Sequence, residues 1–329
     1  MCSRFPEARG KAAARLMPAY VVPAAHDLFR LHTSLRAVIA VFALMLSGAA
    51  AAHAQAPAPL RVCADPNNLP FSNERQEGFE NKIAEVLAAE LGTSVEYTWW
   101  AQRRGFIRNT LGEQRCDVLM GVPADLEMVL TTQPYYRSTY VFVTRADRGL
   151  DIQSLDDARL RTLHVGVQLI GDDGTNTPPA HALSRRGIVR NVAGYMVYGD
   201  YAQPDPPARI IEAVARSDID VALAWGPMAA FFAARQPVAM RVVPIPAEPA
   251  EARLPLSFDI AIGVRKGEVE RRDALDALLV RRRSHIEAIL DQYRVPLAAA
   301  AAREGDPPAA PAGAGKADGG DGDAAGKGT

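Results

Sequence analysis

From Leu60 to Leu297 the apolar positions follow two rhythms that take turns along the chain. The words LRVCAD (60–65), VEYTWW (95–100) and CDVLMG (116–121) are short and dense in apolar or β-branched residues, and each predicts a buried strand. Between the first two, Phe79, Ile83, Val86, Leu87 and Leu91 recur at helical spacing over 78–91, and Gly92 stands where a helix is commonly ended. RRGFIRNTLGEQR (103–115) predicts a second helix. Strand and helix in alternation point to a parallel α/β sheet.

TTQPYYRSTYVFVTR (131–145) breaks this rhythm with a proline and aromatic corner leading into an extended run, read as an exit strand to a second unit. There the alternation resumes. SLDDARL opens a short helix, LHVGVQ (163–168) is a strand, and GDDGTNTPPAHALSRRG (171–187) is a loop opening into a helix over 178–186. YMVYGDY, PARIIEAVARS, IDVALAW and GPMAAFFAARQ then give strand, helix, strand and helix through Gln236. VVPIPA (242–247) is extended, FDIAIGVRKG (258–267) is a buried strand, and 271–293 carries one long helical period through Leu275, Leu278, Leu279, Ile286, Ile289 and Leu290. Crossings near 140–145 and 243–258 would return the chain to the first unit. The predicted division is one lobe from 57–143 plus 254–297, a second from 144–253, and a cleft between them.

The ends are set apart by composition. RAVIAVFALMLSGAAAAHAQA (36–56) has a basic residue, an apolar run and small-residue triplets ending at Ala54 and Ala56, the pattern of a cleaved secretory signal peptide. Its strongly apolar part is shorter than the roughly 20 residues of a spanning helix. Residues 1–56 are therefore expected to be a leader, with a mature start at Gln55 or Pro57 and residence in the periplasm. Residues 298–329, rich in Ala, Gly, Pro and Asp, are expected to form a disordered tail. A net charge of -1 provides no field for drawing in nucleic acid, and the Arg281–Arg283 run reads as a solvated helix face.

Several residues could carry chemistry. Asp65, Asn67, Asn68 and Phe71 stand at the carboxyl end of the first strand, where open α/β sheets place ligands; Asp-Pro-Asn-Asn is equally good turn chemistry, so cup and turn both stand. The aromatics Trp99, Trp100, Tyr135, Tyr136, Tyr140 and Trp225 suit either a cleft lining or a core. Asp172, Thr175 and Asn176 belong to a loop that could supply oxygen ligands, but it lacks the spacing of a calcium loop and reads better as the entry to a helix. Export favours pairing of Cys63 with Cys116. An offset of about four residues between their strands, at roughly 3.3 Å each, exceeds the usual limit of about 7 Å between bridged Cα atoms and argues against it. No dinucleotide, P-loop or zinc-protease motif is present; no cofactor, no metal and no enzymatic activity are expected.

The words CADPNNLPFSNE, GFENKIAE, WWAQRRGF, GVPA, TTQPYYRSTYVFV, GDDGTNTPPAHAL and VALAWGP resemble the type 2 periplasmic binding proteins over 60–297. Within them they resemble the solute-binding-like proteins associated with quinoprotein dehydrogenases, the branch of the methanol dehydrogenase accessory protein. The resemblance implies an α/β, two-lobe type 2 periplasmic binding protein fold with two crossover strands. It also implies a role in methanol metabolism: maturation or activation of a PQQ-dependent methanol or alcohol dehydrogenase, with that enzyme as partner. Amino-acid receptors of this fold grip the substrate carboxylate with an arginine about nine residues before the PYY corner and the amine with an aspartate after the late strand of lobe two. Here those places hold Asp125 and Trp225, so a like charge would repel a carboxylate. The alternative is a transport function, an ABC-importer receptor for a small polar solute, with Asn67, Asn68, Arg103, Asp125, Thr175 and Asn176 hydrogen-bonding across the cleft beside Trp100 and Tyr135.

Overall fold

The computed structural model describes residues 57–170, 175–197, 201–247 and 254–298. The expected leader, all of the expected tail beyond Ala298, and the loop residue Asp172 lie outside them. The strands are β1 (Leu60–Ala64), β2 (Asn67–Asn68), β3 (Ser72–Asn73), β4 (Val95–Trp99), β5 (Val118–Pro123), β6 (Leu130–Thr131) and β7 (Tyr136–Arg145). They continue with β8 (Val165–Ile170), β9 (Thr175–Asn176), β10 (Val192–Met196), β11 (Val221–Trp225), β12 (Met240–Pro244) and β13 (Ser257–Val264). One sheet runs in the order β10-β8-β11-β7-β13-β5-β1-β4. Pairing is parallel within β5-β1-β4 and β10-β8-β11, and antiparallel wherever β7 or β13 takes part.

β7 and β13 are the crossover strands. β7 pairs with β13 from Tyr136 to Thr139, then exchanges that neighbour for β11 from Tyr140 onward. Each end of the long ladder has its own core. In the first lobe the helix Phe79–Glu90 and the helices Val269–Arg281 and Arg283–Gln292 bury Phe79, Ile83, Leu87, Leu278 and Leu290 against one face of the sheet. In the second, Arg209–Ala215 and Gly226–Ala233 cover one face, and Pro178–Arg185 packs on the other. Among the described residues no helix is long and apolar enough to cross a membrane.

The helix after β1 ends in a Schellman motif: Gly92 at φ 67 donates to Ala89 O and Thr93 donates to Ala88 O, satisfying two carbonyls that the helix leaves open. Three elements differ from the sequence expectation. The helix expected over 103–115 is one turn, Phe106–Asn109, because Gly105 sits at φ 88 and bars a helical entry, while Thr110 turns its hydroxyl back to Phe106 O. The long C-terminal period breaks at Arg282, and exposed Arg281 and Arg282 reach back to Glu90. The strand expected over 195–201 lies earlier, at Val192–Met196, where it gains β8 as a parallel neighbour.

Cys63 and Cys116 form a disulfide with Cα atoms 5.4 Å apart, which corrects the expectation drawn from strand offset. The offset is real, since Cys63 lies opposite Leu119. Cys116 is not yet in the strand, however: Asp117 bends the chain and donates its amide to Arg61 O, which folds Cys116 back beneath Cys63.

Candidate functional site

The segment between β1 and the first helix answers the choice between turn and cup. Asp65 is buried, and its Oδ1 accepts from the Asn67 amide at 2.8 Å, an Asx turn. Its Oδ2 accepts from the Gln102 amide and from the Tyr201 hydroxyl, both at 2.7 Å. Burial raises the Asp65 pKa, and the hydrogen bonds from Gln102, Asn67 and Tyr201 oppose that rise. On the same segment Asn81 Oδ1 accepts from the amides of Asn73 and Gly78, and Asn73 Oδ1 accepts from the Glu77 amide, fixing the β2–β3 hairpin against the helix start. Asp65 is thus spent on the chain itself.

That hairpin belongs to lobe one but fastens onto lobe two. Leu69 is buried in the second lobe's cluster with Ala208 and Met228, Asn67 Nδ2 donates to Gln203 O at 2.9 Å, and the Arg103 guanidinium lies 5.1 Å over the Tyr201 ring. The lobes are clasped by these contacts.

Beneath the clasp lies a cavity of about 370 Å³. Its floor is the pair of crossover strands, which present Tyr136, Tyr140, Phe258 and Ile260; its walls are Phe71, Met228 and Trp225, with Trp225 edge-on to Tyr140 at 5.3 Å and to Phe258 at 5.9 Å. The polar groups are few, as is usual for small-molecule clefts. Asn68 Nδ2 donates to Gln102 Oε1, while its buried Oδ1 has no partner among the described residues. Gln168 Oε1 accepts from the Trp225 amide at 2.7 Å and its carbonyl accepts from the Thr177 hydroxyl, so this wall is held rigid.

The remaining polar group is Glu80, in the first turn of the helix Phe79–Glu90. Its half-buried carboxyl borders the cleft; no hydrogen bond or ion pair from the described residues reaches it, and desolvation by the surrounding protein pushes its pKa up to about 8. Gly121 makes room for it. A Cβ at Gly121 would stand 1.9 Å from Glu80 Oε1, and the residue's φ of 67 is one that L side chains rarely adopt.

Of the residues singled out from sequence, Asn68, Phe71, Tyr136, Tyr140 and Trp225 line the cavity. Asn67 borders a second depression with Arg75, Tyr201 and Asp205 on the clasp. Trp100 is exposed, with Arg115 5.5 Å over its ring, and Asp125 is exposed in the turn after β5. Tyr135 packs on Tyr136 at 5.0 Å and borders a shallow surface groove with Asp276 and Leu279. Thr175 and Asn176 pair with Ile170 and Leu169 as β9, with Asn176 exposed. Glu80, Gln102, Gln168, Thr177 and Met228 were not singled out. The available signal for Glu80 was its position two residues after Gly78 in a helix start that otherwise turns apolar residues inward.

Among the described lining residues there is no arginine or lysine, so a carboxylate ligand would meet no cation. Residues 60–295 match the bacterial extracellular solute-binding proteins, family 3. The chain is 35% identical over 251 residues to Protein MoxJ of Methylorubrum extorquens, covering 72% of this chain and 81% of that one. Among solved structures it resembles the periplasmic binding protein XoxJ from Methylobacterium extorquens AM1, with a TM-score of 0.60 and 38% identity over 73% of this chain and all of that one. It also resembles MxaJ from Methlophaga aminisulfidivorans MPT, with a TM-score of 0.64 and 27% identity at 73% and 100% coverage. With its strand order, its two crossover strands and these likenesses, the chain belongs to the family 3 extracellular solute-binding proteins and has the two-lobe type 2 periplasmic binding fold.

Proposed function

We propose that this protein is a periplasmic accessory factor for the maturation or activation of a PQQ-dependent methanol or alcohol dehydrogenase, exported with a cleaved leader and without catalytic activity of its own. The observation that carries the reading is the 35% identity to MoxJ over most of both chains, in line with the sequence words of the dehydrogenase-associated branch. The cleft supports it from a second side. An amino-acid receptor needs a cation for the carboxylate and an acid for the amine, each placed at the mouth; here the described lining offers no cation, and the lobes are clasped by Asp65, Asn67 and Leu69 with no solute needed to join them. A shape held closed by its own contacts is suited to docking as a rigid body. The test is direct binding: the purified protein, immobilised, should retain purified PQQ-dependent methanol dehydrogenase and release it on competition with free protein. No retention at micromolar concentrations of both would count against the reading.

One observation favours a second reading, a receptor for a small solute. The cleft has room for a ligand and carries an Asn68 Oδ1 that is unpaired among the described residues. Buried acceptors without partners are costly, and a ligand hydrogen would satisfy this one.

A further inference from the structure

Every charged group in the cleft lining, among the described residues, is a single carboxyl: Glu80. Among the described residues it has no hydrogen-bond or ion-pair partner, and the titratable groups that act on it or feel its charge are the phenols of Tyr97, Tyr135 and Tyr136, each with its pKa raised by burial and so neutral at pH 7. Such an isolated acid is expensive to ionise and is stabilised best by a cation that enters with its own apolar body. The rest of the lining supplies a surface for that body. Tyr140, Trp225 and Phe258 form a run of edge-to-face rings, and aromatic faces attract organic cations as well as apolar groups. A dicarboxylate, a sugar acid or a zwitterion finds no cation for its anion among the described lining residues.

We propose that the interlobe cleft is a binding site for a small organic ammonium ion whose charged end meets Glu80 and whose apolar body lies against Tyr140, Trp225 and Phe258. Binding exchanges a proton for the ligand's charge: the Glu80 carboxylic acid releases its proton to solvent and the carboxylate pairs with the ammonium group. With a pKa of about 8 in the empty cleft, roughly nine in ten molecules are protonated at pH 7, so about 0.9 proton leaves per ligand bound. The affinity then rises close to tenfold per pH unit below about 7, more gently from 7 to 8, and levels off above that. The proposal is independent of the accessory role, since a protein that docks a dehydrogenase can do so with or without a cleft ligand.

Three probes of one shape separate the alternatives: phenethylammonium, phenethyl alcohol and 3-phenylpropionate. Titration calorimetry on the full chain should show the ammonium ion binding at least tenfold more tightly than the alcohol and the carboxylate not at all. The heat measured in buffers of different ionisation enthalpy should report release of about 0.9 proton at pH 7. Glu80→Gln keeps the size and polarity of the protonated acid, and it should abolish both the preference for the cation and the proton release. Equal binding of ammonium ion and alcohol, which would mark the acid as a mere hydrogen-bond donor, overturns the proposal. So does a preference that survives Glu80→Gln, or a wild-type affinity that stays flat between pH 6 and pH 7.

Discussion

Replacing Glu80 with glutamine should stabilise the protein at neutral pH, by an amount that can be worked from its surroundings. The ordinary glutamate pKa of 4.5 applies to the unfolded chain, and burial raises it to about 8 in the folded one. Between those values the unfolded state binds fewer protons at this position than the folded state, so stability falls as pH rises. The stability is fully present below pH 4.5 and is lost progressively up to the folded pKa. At pH 7 the interval traversed is about 2.5 units, which at 1.36 kcal/mol per unit costs about 3 kcal/mol. Glutamine fills the same volume without an ionisable proton, so the variant escapes this cost. For a fold of this size that corresponds to a melting temperature roughly 6–12 °C higher at pH 7, with little difference at pH 4. Thermal melts of wild type and variant at pH 4, 5, 6 and 7 measure the gap. A gap that does not widen with pH, or a variant less stable than wild type at pH 7, would refute the claim that Glu80 is desolvated without a partner among the described residues.

Other consequences can be checked by routine measurements. Replacing both Cys63 and Cys116 by serine, or reducing them, should lower unfolding stability by about 4 kcal/mol, because the bridge closes a loop over a sequence separation of 53; unchanged denaturant midpoints would show that the bridge contributes nothing. Leu69→Ala removes a buried side chain from the lobe-two cluster and should both cost roughly 2–5 kcal/mol and enlarge the radius of gyration by loosening the clasp; a destabilised but equally compact variant would show that other contacts hold the lobes together. Common amino acids at millimolar concentration should give no thermal shift, whereas a ligand at 100 times its Kd would add about 2.7 kcal/mol, and a clear shift with any of them would revive the receptor reading.

What the sequence disclosed and what it hid divide along physical lines. Strands such as β5 and β11 are largely buried and read as unbroken apolar runs, which local pattern captures. The Asp65 turn was half legible: the side-chain chemistry of Asp-Pro-Asn-Asn announced a turn, but its role as a clasp depends on Tyr201 and Gln203, more than a hundred residues away. Glu80 carried only a faint local signal, for the same reason. A glutamate in the first turn of a helix is ordinarily a solvated group favoured by the dipole; only the convergence of Gly121 and Tyr136 from other strands makes it a half-buried, desolvated acid. The disulfide was misjudged because strand spacing presumes an extended chain, and one bend at Asp117 undid that presumption.

The central claim concerns the partner enzyme, and deletion of the gene tests it most directly. In a strain lacking this protein, grown under conditions that induce the PQQ-dependent methanol dehydrogenase, the periplasmic enzyme polypeptide should be made while its specific activity falls at least several-fold, and re-expression of this chain should restore it. Full specific activity in the deletion strain, with normal amounts of enzyme, would contradict the account.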